Sequence, residues 1–435
     1  MVLRQGFCAA IALAAGWSAT PVRFEQSAFT GAESAWTRWA PRDEIAPRTF
    51  IDSVHDRGSD GSLAISGNSN PAAYGGWQRA VAGIQPGHWY RLSAYYRAEA
   101  ADLERQQILA RLDWMKTAHG RAGQPDFAWK VSRDGDWRHV ILDAQAPKDA
   151  ASVNVQLFLA NAPHTTVWWD DVSLTEVPAP QPRQVTVAAV NLRPQRTNSA
   201  AESVERFIDA IKSSLTQKAD IILLPEGVTV VGNGKKYADI AESIPGPTTL
   251  RLGEVARERK AWIVAGIYER EGTAIYNTSV LLDRSGRVSG RYRKVYLPRE
   301  EYEGGLTPGQ DYPVFQTDFG KIGMMICWDV QYADPARALA LRGAELILMP
   351  IWGGNQALGK ARAIENHVFL ASSGYNYPTQ IVDPDGELLS VAQEQKGIAL
   401  ATIDLERRYH DTWLGDMRGR FFKELRSDVA VIPEH

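Results

Sequence analysis

Cysteine is nearly missing: the 435 residues contain two, Cys8 and Cys327. Two thiols cannot build a disulfide-stapled scaffold or a four-thiolate metal site. An excess of one charge is also missing. The 48 Lys and Arg balance 51 Asp and Glu to a formal net charge of −3, which leaves a nucleic-acid binder without its electrostatic footprint. No apolar run approaches the roughly 20 residues needed to span a bilayer, so no integral membrane segment is expected. The eight histidines include no close pair at metal-ligand spacing, and neither a metal nor another cofactor is expected. What the chain does have is length and apolar content, 44 % of its residues. At roughly 150 residues per domain this is enough for two or three domains with sizeable cores.

Arg4 precedes a small-residue and apolar stretch over residues 7–15, with Gly16 or Ala19 near a cleavage point that Trp17 fits poorly. Residues 1–20 therefore read as a short secretory signal with a weak basic end. Its removal implies a secreted or periplasmic protein, and its retention a cytoplasmic one. The mature chain would keep Cys327 as its single thiol, which cannot close an internal disulfide.

Ten of the 14 tryptophans lie before residue 179. The same region, residues 21–177, has short alternating runs at 89–95, 107–114, 137–142, 153–159 and 166–174. Turn signals such as Gly75-Gly76 and Asp134-Gly135 separate them, the pattern of an all-β sandwich. Val153, Val155, Leu157 and Leu159 alternate and should share one face. Residues 178–183, proline-rich and polar, read as a linker. Over residues 184–435 the period changes. Continuous apolar runs at 185–190 and 221–224 read as buried strands. Ser199-Ala-Ala-Glu202 suits a capping box ahead of an amphipathic helix carrying Val204, Phe207, Ile208, Ile211 and Leu215. Pro247 opens a second helix, and two more are expected near 335–342 and 360–367, between strands at 321–326, 345–350 and 368–373. Asp283-Arg-Ser-Gly286 and Asp383-Pro-Asp-Gly386 suit hairpin turns. Strands alternating with helices argue for an α/β domain.

Three chemically capable side chains lie just past the ends of expected strands: Glu226, Lys294 and Cys327. Strand ends in α/β folds are where rigid elements deliver side chains into a shared cleft. Each residue alone has a bland reading, as a solvated glutamate, a surface lysine and an inert core cysteine. Trp352 and Asn355 follow another strand end and read as pocket lining or as a glycine-held turn. Gly232-Asn-Gly-Lys-Lys236 lacks the Gly-Lys-Ser/Thr arrangement of a phosphate loop and reads as a polar loop. Asn277-Thr-Ser279 is a formal glycosylation sequon, relevant only where secretion passes through a glycosylating pathway.

In this order and spacing, Leu224-Pro-Glu226, Tyr292-Arg-Lys294 and Ile326-Cys-Trp-Asp329 resemble the nitrilase-like carbon–nitrogen hydrolase superfamily. Residues 184–405 carry the resemblance, which extends to Pro308-Gly309, Asp334-Pro-Ala-Arg337, Arg362-Ala-Ile-Glu-Asn366 and Asp383-Pro-Asp-Gly386. It implies a four-layer αββα sandwich over residues 184–435. It also implies hydrolysis of a non-peptide carbon–nitrogen bond, foremost an amide, through a cysteine thioester with release of ammonia or an amine. The substrate would be a small molecule, and no cofactor is needed. In this scheme Cys327 is the nucleophile and Glu226 the proton carrier. Lys294 and the backbone N–H of Trp328 stabilise the oxyanion. A supporting glutamate is implied among Glu300, Glu301 and Glu303. Spacing to Pro308-Gly309 favours Glu303, with Glu301 next. Relatives imply a homodimer or higher homo-oligomer.

Nitrile and N-carbamoyl hydrolysis are the alternatives within the same family, and a catalytically silent glycan- or peptide-binding protein is the alternative outside it. Trp168 to Glu176 resembles the closing strand of carbohydrate-binding, galactose-binding-like jelly rolls, which implies a glycan ligand for that module. The competing reading is that its tryptophans fill the core.

Overall fold

The computed structural model describes residues 35–426 apart from 59, 60, 118, 119 and 412. The signal-like segment 1–20, with Cys8, lies outside them. The chain divides into two compact units, with the boundary between Ala179 and Pro180.

The first unit is two antiparallel sheets. One runs in the order Thr37–Trp39, Tyr74–Ala82, Ser152–Ala160, Ile108–Met115, Asp126–Phe127. The other runs Arg48–Asp52, Ser62–Ser66, Thr166–Val177, Trp89–Glu99, Trp137–Gln145, Lys130–Asp134. Val153, Val155, Leu157 and Leu159 share the core between them with Leu92, Val140 and Trp169, as period-two alternation requires. Trp36, Trp77, Trp114, Trp168 and Trp169 are all buried. Asp134 and Trp137 pair across the expected Gly135 turn. Gly75-Gly76 is not a turn: both glycines lie inside the strand Tyr74–Ala82. A Cβ at Gly75 would sit 2.3 Å from Trp39 O, and one at Gly76 would sit 2.3 Å from Leu157 O, so glycine permits close strand approach there.

The second unit contains two six-stranded mixed sheets. The first has the order Val288–Arg293, Ala274–Leu282, Trp262–Glu271, Ile221–Leu223, Gln184–Asn191, Gly397–Asp404. The second has the order Val314–Gln316, Lys321–Met324, Leu346–Gly353, Phe369–Asn376, Thr379–Val382, Leu388–Ala392. Central pairs are parallel and outer pairs antiparallel. Continuous apolar strands arise because both faces are covered. Val187, Ala189, Ile221 and Leu223 pack toward Ile322, Met324 and Leu348 of the other sheet. Their neighbours Ala188, Val190 and Ile222 pack with Val204, Phe207, Ile211, Leu252 and Val255 of the helices Ala200–Ser214 and Pro247–Arg259. The helices Asp334–Leu341 and Gln356–Asn366 contribute Ala336, Leu339 and Ala363 beside the second sheet. The result is the expected αββα sandwich.

Ser199 Oγ accepts from the Glu202 N–H at 3.1 Å, but the Glu202 carboxylate turns to the N–H of Asn198 at 2.9 Å, so the expected capping box is half formed. Arg183 closes the interdomain segment onto the second unit. Its N–H donates to Asp404 Oδ1 at 2.9 Å, and its guanidinium grips Glu345 and Glu406.

Because its cores draw on its own residues, Pro180–Arg426 expressed alone is expected to unfold in one cooperative calorimetric transition. A chain beginning at Gln184 would lose Arg183 and leave Glu345 short of donors. It should be less stable by about 1–3 kcal/mol, visible as a melting temperature a few degrees lower.

Candidate active site

Glu226 follows the strand Ile221–Leu223 through Leu224, whose N–H continues the ladder to Val264 O at 2.8 Å. Gly266 on the adjacent strand makes room for it, since a Cβ there would lie 2.6 Å from Glu226 Cα. Lys294 sits one residue past the strand Val288–Arg293, held by its N–H on Asn277 O at 2.9 Å and by Gly309 N–H on its carbonyl at 2.8 Å. Cys327 comes from the other sheet. After Lys321–Met324 the chain turns sharply, and Cys327 opens the 3₁₀ turn Cys327–Gln331 with φ +43°, a conformation that side chains other than glycine rarely adopt. Such strained residues persist where surrounding structure over-determines them.

Asp329 supplies that restraint. It is fully buried, and its Oδ2 accepts from Ile326 N–H at 2.9 Å and Tyr292 Oη at 2.7 Å, while Oδ1 accepts from Tyr296 N–H at 3.0 Å. Burial pushes its carboxyl up to about 6 in spite of these donors.

The ammonium of Lys294, 1 % exposed, lies 2.9 Å from Glu226 Oε1 and 2.9 Å from Glu301 Oε2. Burial by itself lowers its pKa. The carboxylates of Glu226 and Glu301 beside it outweigh that and hold its pKa above the ordinary lysine value. Burial and the facing Glu226 push the Cys327 thiol up to about 12, with Lys294 opposing. The resting sulfur is therefore a neutral thiol, directed at Gly353 O at 3.7 Å. Burial also raises Glu301 to about 7, with Lys294 opposing and Glu226 reinforcing.

Of the three candidate glutamates, the structure brings Glu301 to Lys294 and leaves Glu303 away from it. Both lie on the five-residue helix Arg299–Glu303, but two positions apart is about 200° of helical turn, so they cannot face the same way. Glu301 points inward, whereas Glu303 is solvent-exposed and 3.8 Å from Arg299. Glu300 lies at the cavity wall. Sequence reading also missed Asn277. Its Nδ2 donates to Glu226 Oε1 at 2.7 Å and Glu301 Oε1 at 2.6 Å. It is completely buried, so the sequon it heads is closed to modification in the folded chain. The only local signal was an asparagine inside an apolar strand, which the sequon reading absorbed.

Glu226, Lys294, Cys327, Glu301, Trp328 and Trp352 all line one cavity of about 890 Å³. Tyr237 and Tyr268, stacked at 4.6 Å, form part of its wall, and Tyr375 Oη donates to Glu226 O at 2.9 Å. The loop read as merely polar, Gly232 to Lys236, is also part of the wall. Asn355 is not: its side chain accepts from Ala357 N–H at 3.0 Å and caps the helix Gln356–Asn366. That helix needs an acceptor at its first turn, and asparagine is a favoured one. Among the described residues no cluster of three metal-ligating side chains occurs.

Residues 186–410, just over half of the chain, match the family model described as carbon-nitrogen hydrolase. An omega-amidase of Homo sapiens is 28 % identical over 270 residues, covering 55 % of this chain and 94 % of that protein. A nitrilase of Pyrococcus abyssi is 34 % identical over 248 residues, covering 51 % and 90 %. Among solved structures, an amidase variant from Nesterenkonia is similar at 23 % identity and TM-score 0.48, covering 57 % of this chain and 97 % of that one.

Two sets of variants test this geometry. Glu301→Gln is expected to lower turnover at least about tenfold, while Glu303→Gln should leave it within about twofold, measured as steady-state kcat. Asp329→Ala strands two buried donors and one half-buried donor. It should destabilise the fold by about 2 kcal/mol in chemical denaturation and slow alkylation of Cys327.

Proposed function

The chain belongs to the carbon–nitrogen hydrolase family, and from that premise we propose that its cavity hydrolyses a non-peptide amide through a thioester on Cys327. The enzyme is a carbon–nitrogen hydrolase acting on amides or nitriles. One observation carries the finer reading. A neutral buried thiol shares its cavity with a carboxylate whose Oε1 already takes Lys294 and Asn277, while its Oε2 is buried and has no hydrogen-bond partner.

An amide carbonyl is a poor electrophile, and a covalent intermediate divides its hydrolysis into two easier steps. As Cys327 Sγ attacks the carbonyl carbon, its proton passes to Glu226 Oε2 and the carbonyl electron pair moves to oxygen. This coupling is needed because a thiol raised to about 12 does not ionise beforehand at neutral pH. Lys294 and the Trp328 N–H stabilise the oxyanion. When the tetrahedral species collapses, the carbon–nitrogen bond breaks. Glu226 then gives its proton to the departing nitrogen, releasing ammonia or an amine. Water then attacks the thioester and gives Glu226 a proton. The carbon–sulfur bond breaks, the acid leaves, and the sulfur recovers its proton. In a nitrile the same attack would give a thioimidate, and Glu226 would have to protonate the nitrogen at once.

The purified protein is expected to release ammonia across a panel of small amides, and Cys327→Ala should abolish it. Intact-mass measurement should find an acyl adduct on Cys327. Lys294→Met should lower kcat by about 10²–10³. Turnover of nitriles without turnover of any amide would replace this reading with nitrile hydrolysis.

A further inference from the structure

We propose that Tyr292 and Tyr375 are positioning residues whose hydroxyls cross between the two sheets of the catalytic unit in opposite directions, and so fix the distance from Cys327 to Glu226 and Lys294. This rests on the amide hydrolysis described above.

The first sheet delivers Glu226 and Lys294 and the second delivers Cys327, so the reacting groups meet only across the interface between them. That interface is mainly apolar, with Val187, Ala189, Ile221 and Leu223 toward Ile322, Met324 and Leu348. Apolar burial is non-directional, so it favours contact without selecting one spacing to a fraction of an ångström. A misplacement of about 1 Å can nevertheless cost a reaction about 10²-fold. Hydrogen bonds weaken steeply when bent, so bonds that cross the interface can set spacing on that scale.

Two hydroxyl bonds of this kind end on catalytic segments. Tyr292, on the first-sheet strand Val288–Arg293, is 1 % exposed, and its Oη donates to Asp329 Oδ2 at 2.7 Å. The same oxygen accepts from Ile326 N–H, one residue before the nucleophile, and Oδ1 accepts from Tyr296 N–H, two residues after Lys294. One carboxylate thus joins the lysine segment to the turn that presents the sulfur, and Tyr292 is its one side-chain donor among these three. Tyr375, on the second-sheet strand Phe369–Asn376, sends its Oη the other way, to the main-chain carbonyl of Glu226 at 2.9 Å. Its ring packs edge-on against Trp352 of the cavity wall, 4.8 Å away. Neither tyrosine is among the residues that line the cavity, so each acts through the segment it holds. A third hydroxyl bond, from Ser373 Oγ to Val190 O at 2.6 Å, also crosses between the sheets, but it ends on the strand Gln184–Asn191, which bears no catalytic side chain.

The test uses the full-length protein with the best amide from the panel. It compares native enzyme with Tyr292→Phe, Tyr375→Phe, the double variant and Ser373→Ala. Phenylalanine keeps each ring and removes one hydroxyl. Each single tyrosine variant should lower kcat at least about fivefold with KM within about threefold, because the loss lies in alignment of the reacting groups rather than in substrate binding. The two hydroxyls share no hydrogen-bond partner, so independent local effects would multiply. Acting on one separation, they should instead be coupled, and the double variant should depart more than about threefold from the product of the two single losses. Ser373→Ala removes a cross-sheet bond of the same kind and should leave kcat within about twofold.

Native kcat in both tyrosine variants would overturn the assignment. Single losses that multiply in the double variant, or an equal loss in Ser373→Ala, would do the same. A tyrosine variant that fails to fold by circular dichroism would overturn it too, since that hydroxyl would then be a strut of the fold. The rate of Cys327 alkylation by iodoacetamide reads the same spacing without amide turnover, because the neutral thiol must pass its proton to Glu226, and both tyrosine variants should be alkylated more slowly. A native protein that hydrolyses no amide therefore removes the functional reading alone, and equal alkylation rates would then overturn the positioning role.

Discussion

Lys294 carries its ammonium 2.9 Å from one oxygen of Glu226 and 2.9 Å from one of Glu301, with all three side chains out of water. Burying charges costs several kcal/mol per ion unless close geometry and further hydrogen bonds compensate. Asn277 supplies two of those bonds, and the strand ladder fixes the backbone of Asn277 and leads directly into that of Lys294. A cluster with so little tolerance dictates its surroundings. The glycine opposite Glu226, the Asn277 carbonyl that holds the Lys294 backbone and the short helix that turns Glu301 inward all serve it.

The two sheets of the catalytic unit contribute different chemistry to one cavity. Glu226, Asn277 and Lys294 come from strands or strand ends of the first sheet, and Cys327 and Trp352 from the second. The site therefore exists only when the sheets pack against each other, and the interleaved apolar residues between them also set the spacing of the reaction. Asp329 plays a parallel part on the second sheet. It holds the turn that presents the sulfur, while Gly353 accepts the thiol proton at rest.

Charge placement in this cavity also accounts for its resting state. Burial and Glu226 keep the sulfur protonated, while the surrounding negative groups keep Lys294 charged. Under the proposed mechanism, such a site keeps the thiol protonated until a carbonyl is present to share the developing charge. The cost of that arrangement is concentrated in few residues. Replacing any one of the four buried groups by a shape-matched neutral would leave its partners short of a counter-charge or a donor.

Much of this was legible in the chain itself. The runs 185–190 and 221–224 are apolar without alternation, which requires cover on both faces and so predicts layered sheets. Glu226, Lys294 and Cys327 stood out because each lies just past an expected strand. Other features depended on contacts between distant segments. Glu301 and Glu303 have the same chemistry two residues apart, and only the direction of a short helix distinguishes them. Asn277 read only as the head of a formal sequon because nothing within its own strand shows the two carboxylates that approach from 51 and 24 residues away. Asn355 reads equally well as pocket lining or as part of a glycine-held turn, and only the structure shows it capping a helix. Local composition determines which strands are buried and where reactive side chains emerge, since burial leaves its period in neighbouring residues. Which polar groups meet was decided by tertiary packing, since hydrogen-bond partners are chosen by distance in space and leave no period in the chain.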